Sequence, residues 1–253
     1  NNFLQLVYKD FSSRLLKWHK KNGRFNLPWV GINDPYKIWL SEIMLQQTQV
    51  KTVLRNYSKF IQRFPTIESL AIANQETVLK HWEGLGFYKR AINLHDSAKV
   101  IMERNSGVFP NNFNDLITLK GVGKSTANAI LIFGFGKKLA ILDANVKRVI
   151  KKIFNIKSLS RRDNEKFLWV QSEKLLPEFK IKDYTQALMD FGSIICKPIN
   201  PKCTKCNLNK LCKYTFSSNK IKKVIKNVNK VCIILKYKKK YLVFKNNDGL
   251  FVG

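Results

Sequence analysis

Cys196, Cys203, Cys206 and Cys212 are separated by six, two and five residues, and the chain holds one further cysteine, Cys232. Four thiols crowded into so short a segment ask for a metal centre, because the spacings are too tight for independent core roles. Disulfides are the ordinary alternative, but no secretory signal is visible and reduced thiols are the default in the cytosol. Structural zinc usually takes its ligands in two close pairs, and only Cys203–Cys206 is such a pair. An iron–sulfur cluster needs four thiolates from a wrapping loop and tolerates one distant ligand. Ligand type and spacing therefore favour a cluster, with zinc the standing rival. Lys197, Lys202, Lys205, Lys210 and Lys213 sit between or beside the thiols. A redox carrier has little need of a basic loop, whereas a phosphate-binding loop stapled by a metal does.

Two carboxyl groups form the next candidate pair. Glu42 lies within Ile38-Trp39-Leu40-Ser41-Glu42-Ile43-Met44-Leu45, where helical spacing makes it emerge from an apolar stripe. Such surroundings favour the protonated form and suit a general acid near neutrality. The ordinary alternative is a glutamate that bends out to solvent or pairs with a lysine. Asp143 follows an apolar run and starts a helix, so as an N-cap it would accept backbone N–H bonds and stay ionised. Capping alone would also explain it. One carboxyl kept neutral and one kept charged is the division of labour used in glycosidic bond cleavage.

The segment Leu116-Ile-Thr-Leu-Lys-Gly121-Val-Gly123-Lys124-Ser125 joins two helices through a turn whose glycines let backbone N–H groups approach a ligand. The positive end of the following helix points at the same spot, which suits a phosphate. A nucleotide-binding P-loop would need glycine at position 118, which is Thr, and a preceding strand. An ordinary helix–turn–helix corner is the other alternative. The favoured reading is a helix–hairpin–helix that grips the DNA backbone without reading sequence. Gln46 and Gln47 carry amides able to meet base edges, although a polar helix end explains them almost as well. Phe87 and Tyr88, on the flexible Gly84-Leu85-Gly86 turn, are suited to wedging between bases or to core packing. His19, His81 and His95 form no motif.

The formal charge of +29 points to a polyanion, nucleic acid first. Lysine outnumbers arginine among many Asn and Ile residues, so part of the charge reflects an AT-rich coding bias. Its distribution is more telling: residues 191–247 contain fifteen lysines and no carboxylate. No apolar run reaches transmembrane length and no signal pattern opens the chain, so a soluble intracellular protein is expected. The opening Asn1-Asn2, in place of Met, is what a fragment would give.

The elements that must position these groups are helical to about Tyr214. Phe3, Leu6, Val7, Phe11, Leu15 and Trp18 repeat at three and four residues, predicting a first helix that stops near Gly23. Asn33-Asp34-Pro35 starts a second, expected to run to about Val50. Further helices are expected around Val53–Ile61, Ile67–Ala73, Thr77–Trp82, Tyr88–Arg104, Phe113–Leu119, Lys124–Phe133, Ala144–Phe154, Asp163–Leu176 and Asp183–Ile195. A basic linker follows over 216–230. Val231–Leu235 and Tyr241–Phe244 then flank a lysine-rich turn, the signature of a β-hairpin.

These segments together resemble the adenine DNA glycosylases (the MutY family) of the helix–hairpin–helix glycosylase superfamily. The resemblance is carried by Leu27-Pro28-Trp29, by Pro35 to Val50, by the hairpin from Gly121, by Leu142-Asp143-Ala144-Asn145-Val146-Lys147-Arg148 and by the cysteine quartet. It implies an all-α body of two lobes: a six-helix barrel over 31–138, and a cluster lobe from 1–30 and 139–215, with the site in the cleft between. It implies a [4Fe–4S] cluster on the four cysteines. Residues 231–253 would be the truncated start of a Nudix-like domain that recognises 8-oxoguanine.

By the same resemblance Glu42 protonates the adenine ring nitrogen and later helps activate water, while Asp143 stabilises the cationic sugar. Gln47 and Phe87 would fill or wedge the duplex as adenine flips out, and Leu45-Gln46 with Gln47 would hold the estranged base. The residues expected to meet DNA are Gln46, Gln47, Phe87, Tyr88, Gly121, Gly123, Lys124, Ser125, Lys147, Lys202 and Lys205. The implied enzyme is a monofunctional hydrolase of N-glycosyl bonds in base excision repair. Its partner is double-stranded DNA with adenine opposite 8-oxoguanine or guanine. A monomer in a bacterial cytoplasm, associated with the nucleoid and not with membrane, is expected.

Endonuclease III, a glycosylase and lyase, is the close rival; it carries a catalytic lysine where Ser125 stands and lacks the Glu42 counterpart. Lys124 and Lys147 leave incidental Schiff-base chemistry open. A binder that kept the scaffold and lost activity is the non-enzymatic alternative, and the retained carboxyl pair and glutamines speak against it. Phe87 stands where the family usually has Tyr, and Ala144 where it usually has Gly.

Overall fold

Short polar side chains start most of the helices. The computed structural model describes residues 2–156, 161–214, 236–237 and 240–241. Among these it forms α1 (Asn2–Asn22), α2 (Pro35–Leu45), α3 (Val50–Arg63), α4 (Ile67–Ala71), α5 (Gln75–His81) and α6 (Lys89–Asn105). Then come α7 (Phe113–Leu116), α8 (Lys124–Phe135), α9 (Ala144–Ile153), α10 (Arg161–Lys174) and α11 (Ile181–Ile194). Asp34 caps α2 by accepting from the N–H groups of Tyr36 and Lys37, with Pro35 pre-set for the first turn. Thr66 and Ser69 form a reciprocal capping box on α4. Asn74, Asn112 and Asp143 cap α5, α7 and α9 in the same way.

The buried side chains gather into two cores. One is built by α2 to α8 around Trp39, Met44, Phe60, Leu70, Trp82 and Ile130. The other packs α1 against α9, α10 and α11 around Phe11, Leu15, Ile150, Tyr184 and Phe191. Helix α8 serves both: Ala127, Ile130 and Leu131 face the first core, while Ala129 and Ile132 face the second. That double duty explains why α8 is apolar nearly all round. Gly192 allows α11 to approach α9, since a Cβ there would stand 2.7 Å from that of Asn145.

The second helix ends earlier than its pattern predicts. It stops at Leu45, not near Val50, because Gln47 takes a left-handed conformation, with φ of +56°. A tertiary partner supports that stop: Arg90 donates to the carbonyl oxygens of Ile43 and Met44, two of the acceptors a helix end leaves open. The remaining helices fall within a few residues of their expected spans.

Residues 215–253 form a separate unit. Within it Lys236–Tyr237 pairs antiparallel with Lys240–Tyr241. The sequence assigns Lys236, Tyr237 and Lys240 to a turn; the structure instead pairs them. The expected strands Val231–Leu235 and Leu242–Phe244, like the linker at 216–230, lie outside the described residues. Among the described residues no helix is long and apolar enough to cross a membrane.

Candidate active site

A cleft of about 840 Å³ is lined by α2, the Arg24–Asn33 loop, the start of α9 and one face of α11. Glu42 and Asp143 both line it. Glu42 comes from the face of α2 that also carries Ile38 and Leu45, and burial pushes its carboxyl up to about 8, with the Asp143 charge adding to the shift. At neutral pH it is largely protonated, as an acid must be.

Asp143 is the N-cap of α9. Its Oδ1 accepts the Val146 N–H at 2.7 Å and its Oδ2 accepts from the Asn145 amide at 3.3 Å. The sequence expects capping to keep this group simply ionised. The structure corrects that picture: burial outweighs the hydrogen bonds and the Arg148 charge, and the net shift is upward. The residue before it is anchored from the hairpin side, where Ser125 Oγ accepts the Leu142 N–H at 3.0 Å.

The back of the cleft is set by a buried polar cluster. Asp190 accepts from the Arg24 backbone N–H and Nε, both at 2.8 Å, and its Oδ2 stands 3.4 Å from His19 Nε2. Burial opposes charging Asp190, yet the bonds from His19 and Arg24 win and hold it below the usual range. His19 and Arg24 line the cleft beside the exposed ring of Phe25. Helical periodicity gives this cluster no signal, since its members are more than 160 residues apart.

The hairpin sits close to the end of α2. Gly121 takes φ of +81°, and Gly123 caps α8 with no side chain over its first N–H groups. Gln46 Nε2 donates to the Gly121 carbonyl at 3.1 Å, so half of that amide serves the hairpin. Gln47 is exposed. Phe87 is exposed in a left-handed conformation, with φ of +49°, whereas Tyr88 packs against the first core. Lys124 Nζ rests 4.0 Å from the ring centre of Trp169, and Lys147 pairs with Glu165 at 2.8 Å. Neither lysine lines the cleft.

The four cysteines lie after α11, around short 3-10 turns at Cys203–Lys205 and Asn209–Leu211. Cys196, Cys206 and Cys212 pack against the second core, and Cys203 is exposed with Lys202 and Lys205. All four are free thiols. Burial first, and then the other thiolates, pushes Cys206 up to about 11. The segment is fastened to α9 at both ends. Arg148 Nε donates to the Cys196 carbonyl at 2.6 Å, and the Lys213 N–H to the Ile153 carbonyl at 3.1 Å. Among the described residues no group of three or more His, Cys, Asp or Glu side chains is arranged to hold a single metal ion.

A glycine hairpin leading into a helix shared by two cores, beside a cleft with paired carboxyl groups, defines a class. Residues 40–174 match the HhH-GPD superfamily of base excision DNA repair proteins. The chain belongs to that superfamily and, within it, to the adenine DNA glycosylases, enzymes that cleave N-glycosyl bonds in base excision repair. It is 42% identical over 242 residues to the adenine DNA glycosylase of Buchnera aphidicola subsp. Baizongia pistaciae (strain Bp), covering 96% of this chain and 68% of that protein. The human adenine DNA glycosylase is 35% identical over 213 residues, 80% of this chain and 39% of that protein. Among solved structures, a thermostable thymine-DNA glycosylase superposes with a TM-score of 0.77 at 36% identity, covering 83% of this chain and 97% of its own. A non-covalent endonuclease III–DNA complex shares the fold, with a TM-score of 0.69 at 22% identity, covering 83% of this chain and 95% of its own.

Proposed function

We propose that this chain binds duplex DNA and hydrolyses the N-glycosidic bond of adenine placed opposite 8-oxoguanine or guanine, without cutting the strand. The observation that carries this reading is the meeting of Glu42 and Asp143 in one cleft, with Glu42 raised far enough to hold its proton. Glu42 donates that proton to a ring nitrogen of the flipped adenine as the C1′–N9 bond breaks and its electron pair leaves with the base. Asp143, charged while the sugar becomes cationic, faces the positive carbon. Water then attacks C1′ and its proton returns to Glu42. Ser125 and the tethering of Lys124 and Lys147 support hydrolysis over Schiff-base chemistry, because no amine lines the cleft from those positions. The exposed first turn of α8 and the lysines of the cysteine loop would hold backbone phosphates.

The same reading assigns a [4Fe–4S] cluster to Cys196, Cys203, Cys206 and Cys212. The donor set fits: four free thiols, every pair near enough to feel the other's charge, yet not gathered around one ion. A zinc ion with bonds of about 2.3 Å would draw its sulfurs to within about 4 Å of one another; a cubane holds them farther apart. When bound, it would cross-link the loop through its thiolates and fix Lys202 and Lys205 relative to α9.

The two cores support a division into a barrel lobe over 31–138 and a cluster lobe from 1–30 and 139–215. Residues 231–253 are assigned, by resemblance, to the first hairpin of a Nudix-like domain. A monomer acting at the bacterial nucleoid is the setting this implies.

Single-turnover incubation with a duplex holding adenine opposite 8-oxoguanine, followed by alkali, tests the reading. Strand breakage only after alkali is the expected result. Breakage without alkali would replace it with a lyase, and no breakage with binding intact would leave a non-catalytic DNA binder.

A further inference from the structure

Arg90, at the start of α6, reaches two turns that are forty residues apart in sequence. Its Nη1 donates to the carbonyl oxygens of Ile43 at 2.9 Å, Met44 at 2.8 Å and Gln46. Its Nη2 donates to Thr48 Oγ1 at 2.9 Å and to the Leu85 and Gly86 carbonyls, both at 3.1 Å. The guanidinium also lies 5.4 Å from the ring centres of Trp82 and Phe87. Thr48 Oγ1 stands 3.3 Å from the Leu85 carbonyl, which closes the link directly.

Each turn carries one exposed side chain on a left-handed backbone. Gln47 has φ of +56° and Phe87 has φ of +49°; Phe87 is 57% exposed. A residue with a Cβ is uncommon in that region and persists there when its surroundings over-determine it. The guanidinium supplies those surroundings. Its planar fork offers five fixed donors, where a lysine ammonium offers three around a point charge. A core buttress would need none of this; here six acceptors surround one cation, and all belong to the two turns.

We propose that Arg90 is a positioning residue that locks Gln47 and Phe87 into one rigid two-pronged wedge, setting how the duplex is opened around the target base and leaving bond cleavage to the cleft. The proposal rests on reading the chain as a base-flipping glycosylase. Both prongs are ordered before DNA arrives, so binding need not order them.

Arg90→Lys in the full chain tests this with two independent readouts. In the free protein, amide hydrogen exchange should accelerate together at residues 46–48 and 85–88, while α3 and α8 keep their protection. With 2-aminopurine replacing the target adenine opposite 8-oxoguanine, the fluorescence rise on flipping should be lost, and single-turnover excision of adenine should slow about 100-fold. Affinity for undamaged duplex should hold, as should the pH at which the residual rate declines. In a Phe87→Ala background the same change should add little. Unchanged exchange at the two turns overturns the clamp. Loosened turns with normal flipping and excision, or an equal loss in the Phe87→Ala background, overturn its role in opening DNA. If Arg90→Lys fails to fold, Thr48→Ala removes one arm of the clamp and is read by the same measures. A parent protein that neither flips nor excises would overturn the glycosylase reading, and the exchange experiment would still decide the clamp.

Discussion

Ser125 Oγ accepts the amide proton of Leu142 at 3.0 Å, so the helix after the glycine hairpin holds the residue immediately before Asp143. The hairpin proposed to grip phosphate and the carboxylate proposed to face the sugar are thereby one mechanical unit. Leu142 is 3% exposed, so its N–H has no ready replacement partner in water. Ser125→Ala should cost about 1–3 kcal/mol of stability, read by chemical denaturation. It should also slow single-turnover excision while leaving duplex affinity nearly unchanged. Full excision at the parent rate would mean that Asp143 is positioned without the hairpin.

The coupling of Glu42 to Asp143 gives a pH profile with a definite sign. Glu42 is raised from 4.5 to about 8, so excision should fall as pH passes about 8 and the acid is lost. Protonation of Asp143 should lower the rate on the acid side, at a pH above its ordinary carboxylate range. The folded chain binds one more proton than the unfolded chain between the two Glu42 values, so this group's contribution to stability declines as pH rises through that window. Glu42→Gln removes the effect. Its melting temperature relative to the parent should climb between pH 5 and 8 and then level off. Because the Asp143 charge contributes to the shift, Asp143→Asn should lower the Glu42 pKa, measured by carbon NMR of the carboxyl. An unmoved value would mean that the two groups are not in electrical contact.

The cysteine loop should answer to both metal and salt. All four of Cys196, Cys203, Cys206 and Cys212 should be needed for the visible absorbance of an anaerobically prepared sample, and Cys232→Ser should leave it intact. Zinc without iron would sink the assignment. Exposed Lys202 and Lys205 flank Cys203, so Lys202→Ala and Lys205→Ala should weaken binding to all duplexes alike. Each lysine that neutralises one phosphate should, when replaced, reduce the log–log salt slope by about 0.9.

The sequence displays what depends on local chemistry and hides what depends on long-range partners. Asp34 and Asp143 announce their helices because a cap needs only its own first turn. The Gly121 turn is legible because its backbone must adopt a positive φ. Helix α2 is read too long because its stop comes from Arg90, which binds its last carbonyls from forty-odd residues away. The polarity of Gln46 and Gln47 says nothing of an arginine beneath them. Arg24 and Asp190 are equally silent, since an ion pair between a loop and a distant helix leaves no periodicity. The upward shift of Asp143 escapes for a related reason: its capping bonds are local, whereas its burial is the work of the whole cleft.

The assignment of Glu42 is tested most directly by Glu42→Gln. The amide preserves volume and sits in the same apolar stripe beside Ile38 and Leu45, so the cleft should keep its shape. It cannot release a proton to a leaving base, and removal of a general acid typically costs about 100- to 10,000-fold in rate. DNA binding should survive, because the hairpin and the lysine-rich loop that would hold phosphate are elsewhere on the surface. A shape-conserving change should therefore separate the two functions, with loss of excision in a single-turnover assay and near-parental affinity for the adenine mispair. If the variant excises adenine at the parent rate, the proton comes from another group and the raised pKa of Glu42 has only a structural cause. If binding falls in step with excision, the glutamate supports the cleft and its acid role is unsupported.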